Sequence, residues 1–123
     1  MSIIKYFTDL DAWKKGHDLL LNVYKITRRF PKEEVYGLTS QIRRAAVSIT
    51  SNIAEGFSRY HFKEKINFYY NARGSASEVQ NLLVVARDVG FLKNAEQESL
   101  NTATEDVKRL INGLVRSVDS RIS

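Results

Sequence analysis

Apolar residues recur along the chain in steps of three and four positions, the spacing that places them on one face of an α-helix. Thr8 is placed to cap the first such segment, with Asp11 three positions later as in a capping box. Pro31 marks its end, because the residue before a proline is disfavoured in helical conformation. The buried stripe predicted for this first helix consists of Leu10, Trp13, His17, Leu20, Tyr24 and Thr27.

Further stripes of the same spacing predict a second, a third and a fourth helix. Gly56 and Gly90 are placed as the C-terminal ends of the second and third helices. Gly37 allows two interpretations of the start of the second helix: residues 32–36 either belong to this helix or form a separate turn. The second stripe is Val35, Leu38, Ile42, Ala45, Ile49 and Asn52, widened by Ala46 and Ile53. The third is Phe62, Tyr69, Ala72, Ala76, Val79, Leu83 and Ala86, and the fourth is Leu100, Thr104, Val107, Ile111, Leu114 and Val118.

Amphipathic helices of about 20 to 28 residues with short connections bury their apolar faces most economically side by side, with sequential neighbours antiparallel. No strand-like alternation competes with the helical spacing. No linker, repeat or low-complexity segment divides the chain. The sequence therefore predicts an all-α fold, an antiparallel up-down-up-down four-helix bundle, as a single domain over residues 1–123.

The amino-acid composition excludes several kinds of functional site. With 123 residues, 43% of them hydrophobic and 27% charged, the chain can bury a core. It has no cysteine, which excludes disulfides, thiolate metal sites and cysteine nucleophiles. His17 and His61 have no partner at metal-binding spacing and no glycine-rich phosphate loop is present, so we expect neither a metal nor a cofactor. Apolar runs are too short for a signal peptide or a membrane span, so we expect a cytoplasmic protein without membrane contact.

The net charge of +5 belongs entirely to the first half of the chain. Residues 1–65 hold 12 Lys or Arg against 7 Asp or Glu, whereas residues 66–123 hold 7 of each. Such asymmetry indicates an anionic partner, although solubility and complementation of helix dipoles would account for a modest excess equally well.

The basic residues of this half gather in three places. The first group ends the first helix, where cations also complement the helix dipole. The second lies at a helix N-terminus, where a cation is unfavourable unless an anion sits nearby, and Tyr60 and Phe62 alternate with it as faces for stacking on unpaired bases. The candidate nucleic-acid-binding residues are Arg28, Arg29 and Lys32 of the first group, Arg59, Lys63 and Lys65 of the second, and Arg43 and Arg44 between them.

Polar side chains gather near the end of the second helix. Ser48, Asn52 and Glu55 share one face there, and Glu78 of the third helix is a candidate to face them. Two facing carboxylates would serve as general acid and base, whereas the same group would equally form a hydrogen-bond network that fixes helix register. The structural alternative is the stronger one, and we expect a protein without catalytic residues.

The third helix carries more apolar residues than a four-helix monomer needs. Phe68, Tyr70, Leu82, Val84, Val85 and Val89 fall outside its core stripe. Gly74 lies in mid-helix, where glycine is unfavourable by about 1 kcal/mol relative to alanine, so a close approach of another backbone is expected there. Both features favour a homo-oligomer, and the alternative is a core stripe widened by a few aromatic residues.

Three segments, FTDLDAWKKG, FPKEEVYGLTSQIRRAAVSITSNIAEG and ARGSASEV, resemble the signature segments of the 23S rRNA intervening-sequence proteins, which are small bacterial four-helix-bundle proteins. The resemblance runs from about Phe7 to Leu92 and implies a ring-shaped homopentamer. A related protein, the accessory variability determinant of diversity-generating retroelements, is a basic pentamer that binds nucleic acid and a reverse transcriptase. Besides Arg43 and Arg44, the matched motif positions, expected to be structural, are Gln41, Ser48, Asn52, Glu55, Gly56, Gly74, Ser75 and Glu78.

Two functional hypotheses follow. The first is a non-catalytic, homo-oligomeric basic bundle that binds structured RNA or DNA through phosphate contacts. The alternative is a protein–protein interaction adaptor, for example for a reverse transcriptase or a ribosome-associated factor, which would use the apolar surface of the third helix. An enzyme is the weakest hypothesis and would need Glu55 and Glu78 together in an accessible cleft.

Overall fold

In the computed structural model, which describes residues 3–122, the chain forms long α-helices joined by short connections. Short 3₁₀ helices at Phe7–Asp9 and Lys32–Glu34 precede the first and second of them. Within the described residues there is no strand, so the predicted all-α four-helix fold is confirmed. The helices are α1 (Asp11–Thr27), α2 (Leu38–Ser58), α3 (Phe62–Asp88) and α4 (Asn94–Ile122).

Side-chain contacts give the helix directions. Ser48 in the middle of α2 meets Ser75 of α3, whereas Arg59 just beyond the end of α2 lies over Phe68, nearer the start of α3. Because later residues of one helix contact earlier residues of the other, the two helices run antiparallel. The same order holds for α1 with α2 (Gly16 against Thr50, Arg43 with Thr27), for α3 with α4 (Arg73 with Asn112, Arg87 with Gln97) and for α4 with α1 (Gly16 against Val107, Arg29 with Glu96).

Buried side chains from all four helices form one continuous apolar cluster along the bundle axis. The predicted stripes of α2, α3 and α4 supply most of it, although Val35 and Phe62 at the beginnings of their stripes are exposed. The largest fully buried side chains are Leu19, Ile42, Ile49, Ile53, Leu83 and Ile111.

The stripe predicted for α1 is wrong in phase. The buried residues of this helix are Ala12, Gly16, Leu19, Val23 and Thr27, while Trp13, His17 and Leu20 are half-buried and Tyr24 is exposed. The reason is close packing: a Cβ at Gly16 would lie 3.2 Å from Thr50 Cγ2, so α2 approaches the backbone of α1 there. The larger aromatic side chains lie beside this contact, and the Trp13 and His17 rings stack with centroids 4.6 Å apart.

The predicted N-terminal cap of α1 is also wrong. Leu10 occupies the cap position without a side-chain hydrogen bond, because the preceding residues form a 3₁₀ helix. That short helix is held by Asp9, whose Oδ2 accepts hydrogen bonds from the backbone N–H groups of Lys5 (3.0 Å) and Tyr6 (3.1 Å). These bonds lower the pKa of Asp9.

The two glycines predicted to end helices behave differently. Gly56 is buried inside α2, which continues to Ser58, so it is not the terminator. Gly90 does end α3: it adopts φ +92°, and Phe91 N–H donates to Ala86 O at 2.8 Å while Gly90 N–H donates to Arg87 O at 3.0 Å. This is the Schellman motif, in which glycine is preferred because of its positive φ.

The apolar excess predicted for the third helix divides into three classes. Leu82 belongs to the core, Phe68 and Val84 are half-buried, and Tyr70, Val85 and Val89 are exposed. At Gly74 a Cβ would meet no atom of the described chain within 4 Å, so no close approach occurs there inside this chain. In residues 3–122, none of the helices is long and apolar enough to cross a membrane.

Candidate nucleic-acid interface

Arg43 connects α2 to the end of α1. Its Nε donates a hydrogen bond to Thr27 Oγ1 at 2.8 Å, and its guanidinium lies 4.5 Å from the centre of the Tyr24 ring. The Thr27 hydroxyl in turn donates to Val23 O at 2.7 Å, which fixes its position on the helix. The guanidinium plane is therefore held in place by a hydrogen bond and a cation–π contact before any ligand arrives.

Arg43 and Arg44 line one groove on the outer side of α2, facing α1. The groove has a volume of about 570 Å³. All of its lining residues are neutral or basic, and the neutral ones include both hydroxyl and apolar side chains. We call it the arginine groove; it is lined by Tyr24, Val35, Thr39, Ser40, Arg43, Arg44, Val47, Ser48 and Ser51. Arg44 is exposed at this groove, in contrast to the half-buried Arg43.

On its other side α2 shares a polar seam with α3. The Ser48 and Ser75 hydroxyl oxygens lie 2.7 Å apart, and Asn52 Nδ2 donates to Ser48 O at 2.8 Å and to Ser48 Oγ at 3.1 Å. Buried or half-buried polar groups that bond one another in this way fix the register of two helices. A second groove, of about 380 Å³, adjoins this seam and is lined by Gln41, Arg44, Ala45, Ser48 and Glu78.

The two carboxylates considered as an acid–base pair do not meet. Glu55 lies near the end of α2 and binds Arg59, with Oε2 and Nη2 3.1 Å apart. Glu78 lines the groove at the level of Ala45. The two levels differ by roughly ten helical residues, which corresponds to about 15 Å along the bundle axis. The arrangement does not form a carboxylate dyad.

Gly56 and Lys65 form the joint between α2 and α3. A Cβ at Gly56 would lie 2.7 Å from Cε1 of the Tyr69 ring, so only glycine fits this contact without movement. Lys65 Nζ donates to Phe57 O at 2.7 Å and to Gly56 O at 3.3 Å, which caps the C-terminal carbonyls of α2. Burial lowers the pKa of Lys65, and the positive charge of Arg121 lowers it further.

The remaining residues of the α2–α3 junction are more open. Arg59 is bound to Glu55 and places its guanidinium 4.6 Å from the centre of the Phe68 ring. Lys63 is exposed, and Tyr60 between the helices is 88% exposed. The junction therefore presents two exposed aromatic residues, Tyr60 and Phe62, and one exposed lysine, beside an arginine already engaged in the fold.

The cations that follow the end of α1, at the opposite pole of the bundle, also differ in their contacts. Arg29 forms an ion pair with Glu96 at the start of α4. Glu96 has a lowered pKa because it accepts the Lys93 backbone N–H at 2.9 Å and, secondly, because it binds Arg29. Arg28 and Lys32 are exposed.

Four of the eight predicted cations, Arg29, Arg43, Arg59 and Lys65, thus have partners within the fold, and only Arg43 and Arg44 share a groove. In the described part of the chain, no group of three His, Asp or Glu side chains is placed to hold a metal ion. Tyr24 and Ser40 were not predicted from the sequence as neighbours of the two arginines. Tyr24 was assigned to the core because it fits the three–four spacing, and the small residues Ala12 and Gly16 were the available signal that the packed face lies elsewhere.

The sequence profile of the 23S rRNA-intervening sequence proteins matches residues 8–113, which is most of the chain. The chain belongs to this family. A crystal structure of a protein of unknown function of the S23 ribosomal protein family from Bacteroides thetaiotaomicron VPI-5482 is similar to it, with a TM-score of 0.79. That protein is 19% identical, and the alignment covers 85% of this chain and 95% of the other, so the likeness establishes the fold. No curated protein matches the chain significantly.

Proposed function

We propose that this member of the 23S rRNA-intervening sequence protein family binds nucleic acid, without catalysing a reaction on it, through phosphate contacts at the arginine groove. The observation that carries this proposal is the placement of Arg43 and Arg44 in one groove whose lining contains no acidic side chain among the nine residues that form it. Arginine and hydroxyl side chains are the groups that proteins use most for phosphate contacts.

The contacts that hold the Arg43 side chain in place support the same proposal. Its guanidinium is held by Thr27 and Tyr24, so little side-chain freedom remains to be lost when a phosphate binds. Arg44 beside it is exposed and supplies a second, mobile charge. The hydroxyls of Ser40 and Ser51 add donors along the groove.

The other predicted cations contribute unequally. Arg28, Lys32 and Lys63 are exposed and extend the positive field beyond the groove. Arg29, Arg59 and Lys65 already bind groups of the fold, so their replacement would change stability together with binding. A non-catalytic role is supported by the separation of Glu55 and Glu78 along the bundle. The family name, which refers to 23S rRNA, makes ribosomal RNA the first probe to use.

The test is fluorescence anisotropy with labelled 23S rRNA hairpins, duplex DNA and single strands, titrated across salt concentrations. Phosphate binding predicts that the logarithm of the binding constant falls linearly with the logarithm of the salt concentration. The slope should be about −0.9 per phosphate contacted on duplex DNA, and about −0.7 on single strands.

Arg44→Glu should weaken binding at least tenfold and reduce the magnitude of this slope. Arg116→Glu on α4, diagonal to α2 in the bundle, makes the same change in net charge and should have a much smaller effect. Equal losses in the two variants would refute the groove, and no binding at low salt would refute the function.

A second proposal concerns protein contacts of α3. The exposed side chains of Tyr70, Val85 and Val89 and the open position at Gly74 favour an interface on this helix, with another copy of the chain as the first partner and an adaptor contact to a different protein as the alternative. Light scattering after size exclusion measures the assembly, for which the family resemblance implies five copies. Val85→Lys should reduce the mass, whereas Leu21→Lys, at another exposed apolar position on α1, should not.

A further inference from the structure

The arginine groove contains apolar surface that would take no part in phosphate contacts. Val35 and Val47 are exposed on its walls, and Tyr24 is 37% exposed beside them. Phosphate and sugar groups gain little from such surface, whereas the faces of nucleobases are apolar and stack on aromatic and apolar side chains. In a duplex those faces are covered by neighbouring base pairs.

An almost fully exposed aromatic residue adjoins the groove along the chain. Tyr36 follows the lining residue Val35, is 95% exposed and lies between the Lys32–Glu34 turn and the start of α2. At that exposure the ring contributes almost no packing to the fold. The ring is therefore open to stacking, one residue from the groove lining.

Arg43 offers a further stacking surface. Its guanidinium lies over the Tyr24 ring, 4.5 Å from the ring centre, and its Nε is fixed by Thr27. Planar guanidinium groups stack on unpaired bases as aromatic rings do. The groove volume of about 570 Å³ is within the range of about 300–1,000 Å³ that binds small-molecule ligands, which leaves room for a nucleotide.

We infer that the arginine groove binds unpaired nucleotides, with a phosphate at Arg44 and a base stacked among Tyr36, Val35 and Arg43. This inference rests on the proposed function and specifies its substrate as single-stranded segments, including the loops of a structured RNA. Duplex regions would contact the basic surface through their backbones alone.

The experiment compares a labelled RNA single strand with the blunt duplex of the same sequence at one salt concentration, by fluorescence anisotropy. The wild-type protein should bind the single strand at least tenfold more tightly. Tyr36→Ser should lower single-strand affinity about fivefold or more, as loss of one stacked base predicts, and leave duplex affinity unchanged. A 2-aminopurine in the strand should be quenched on binding to the wild type and less so with Tyr36→Ser.

Tyr6→Ser is the matched control, because the Tyr6 side chain is also highly exposed (69%) but precedes α1, at the opposite pole of the bundle from Tyr36. It should leave both affinities unchanged. Equal binding of strand and duplex, with no effect of Tyr36→Ser on either, would overturn the inference and leave the proposed function standing. If neither probe binds at low salt, the proposed function itself fails and the inference falls with it.

Discussion

Arg43 Nε donates a hydrogen bond to Thr27 Oγ1 at 2.8 Å and thereby joins the first third of α2 to the last residue of α1. The same guanidinium covers Tyr24 one turn earlier. Arg43 therefore differs from its neighbour Arg44: Arg43 stabilises the helix pair and also lines the arginine groove, whereas Arg44 is exposed and lines both this groove and the second groove beside Glu78. Reversal of the charge at Arg43 would therefore remove an interhelical contact as well as a cation of the groove.

Replacement of Arg43 by Ala should therefore destabilise the bundle. Loss of a hydrogen bond from a charged donor and of a cation–π contact, both half-exposed, predicts a decrease of about 1–2 kcal/mol in the free energy of unfolding. Arg44→Ala should change it by no more than about 0.5 kcal/mol, as for most exposed positions. Urea denaturation followed by circular dichroism measures both.

A double-mutant cycle with Thr27→Val separates the hydrogen bond from the packing of the arginine side chain. The coupling energy between Arg43→Ala and Thr27→Val should be about 0.5 kcal/mol or more, because the two groups are in direct contact. Additive effects would mean that the hydrogen bond contributes nothing measurable, and Arg43 would then be a residue of the groove alone.

Two mid-helix glycines should respond in opposite ways to alanine. At Gly56 the new Cβ would lie 2.7 Å from the Tyr69 ring, so Gly56→Ala should destabilise the protein by about 1–3 kcal/mol despite the better helix propensity of alanine. At Gly74 the Cβ would meet nothing of this chain, so Gly74→Ala should stabilise an isolated chain by about 0.5–1 kcal/mol.

The Gly74 variant also tests the idea that another backbone approaches this position. Thermal unfolding gives its stability, and light scattering gives its mass. If Gly74→Ala is less stable than the wild type and lower in mass, a second chain contacts Gly74 in the assembly. If it is more stable with the mass unchanged, the small residue serves no interface.

Most of the fold could be predicted because the apolar spacing of α2, α3 and α4 is regular, and each of these helices buries its largest aliphatic residues. The phase of α1 could not, because its packed face uses Ala12 and Gly16, whose small side chains carry little hydrophobic signal. The distance between two packed helices determines whether small or aromatic residues face the core. That distance depends on the side chains of the partner helix as well. Gly56 was misplaced for a related reason: a glycine required by a neighbouring ring looks the same in a sequence as a glycine that ends a helix.

The candidate site was harder to predict than the fold. Which arginine is free depends on hydrogen bonds between residues far apart in sequence, such as Arg29 with Glu96. The serine and asparagine motif was interpreted correctly as a group on one face of α2, since Ser48 and Asn52 lie one turn apart. Its partner Ser75 became evident only from the helix register.

The start of α4 should contribute a pH-dependent term to stability. The pKa of Glu96 is lowered below 4.5 in the folded state, first by the Lys93 backbone N–H and then by Arg29. Its ionised form therefore stabilises the protein above about pH 4.5, and this contribution is lost as the pH falls through the folded-state pKa. The wild type should be more stable than Glu96→Gln at pH 7, and the difference should disappear at strongly acidic pH.

Urea denaturation of both proteins from pH 7 down to pH 3 provides the comparison. Arg29→Ala should reduce the pH-dependent difference but not abolish it, because the larger cause, the backbone hydrogen bond, remains. A difference between wild type and Glu96→Gln that is independent of pH would show that the carboxylate charge is not what stabilises this helix start.

Lys63 and Lys65, two residues apart in α3, should separate binding from stability. Lys65 donates to the carbonyls of Phe57 and Gly56, so Lys65→Ala removes the cap of α2 and should decrease the free energy of unfolding by about 1 kcal/mol. Lys63 is exposed, so Lys63→Ala should leave stability unchanged and reduce the salt slope of nucleic-acid binding only if phosphates reach this pole. Denaturation and salt-dependent anisotropy on the same two variants check both statements. Equal stability of the two variants would contradict the capping role of Lys65, since Lys65 contacts the end of α2 through its hydrogen bonds and the Phe57 ring, whereas Lys63 is exposed.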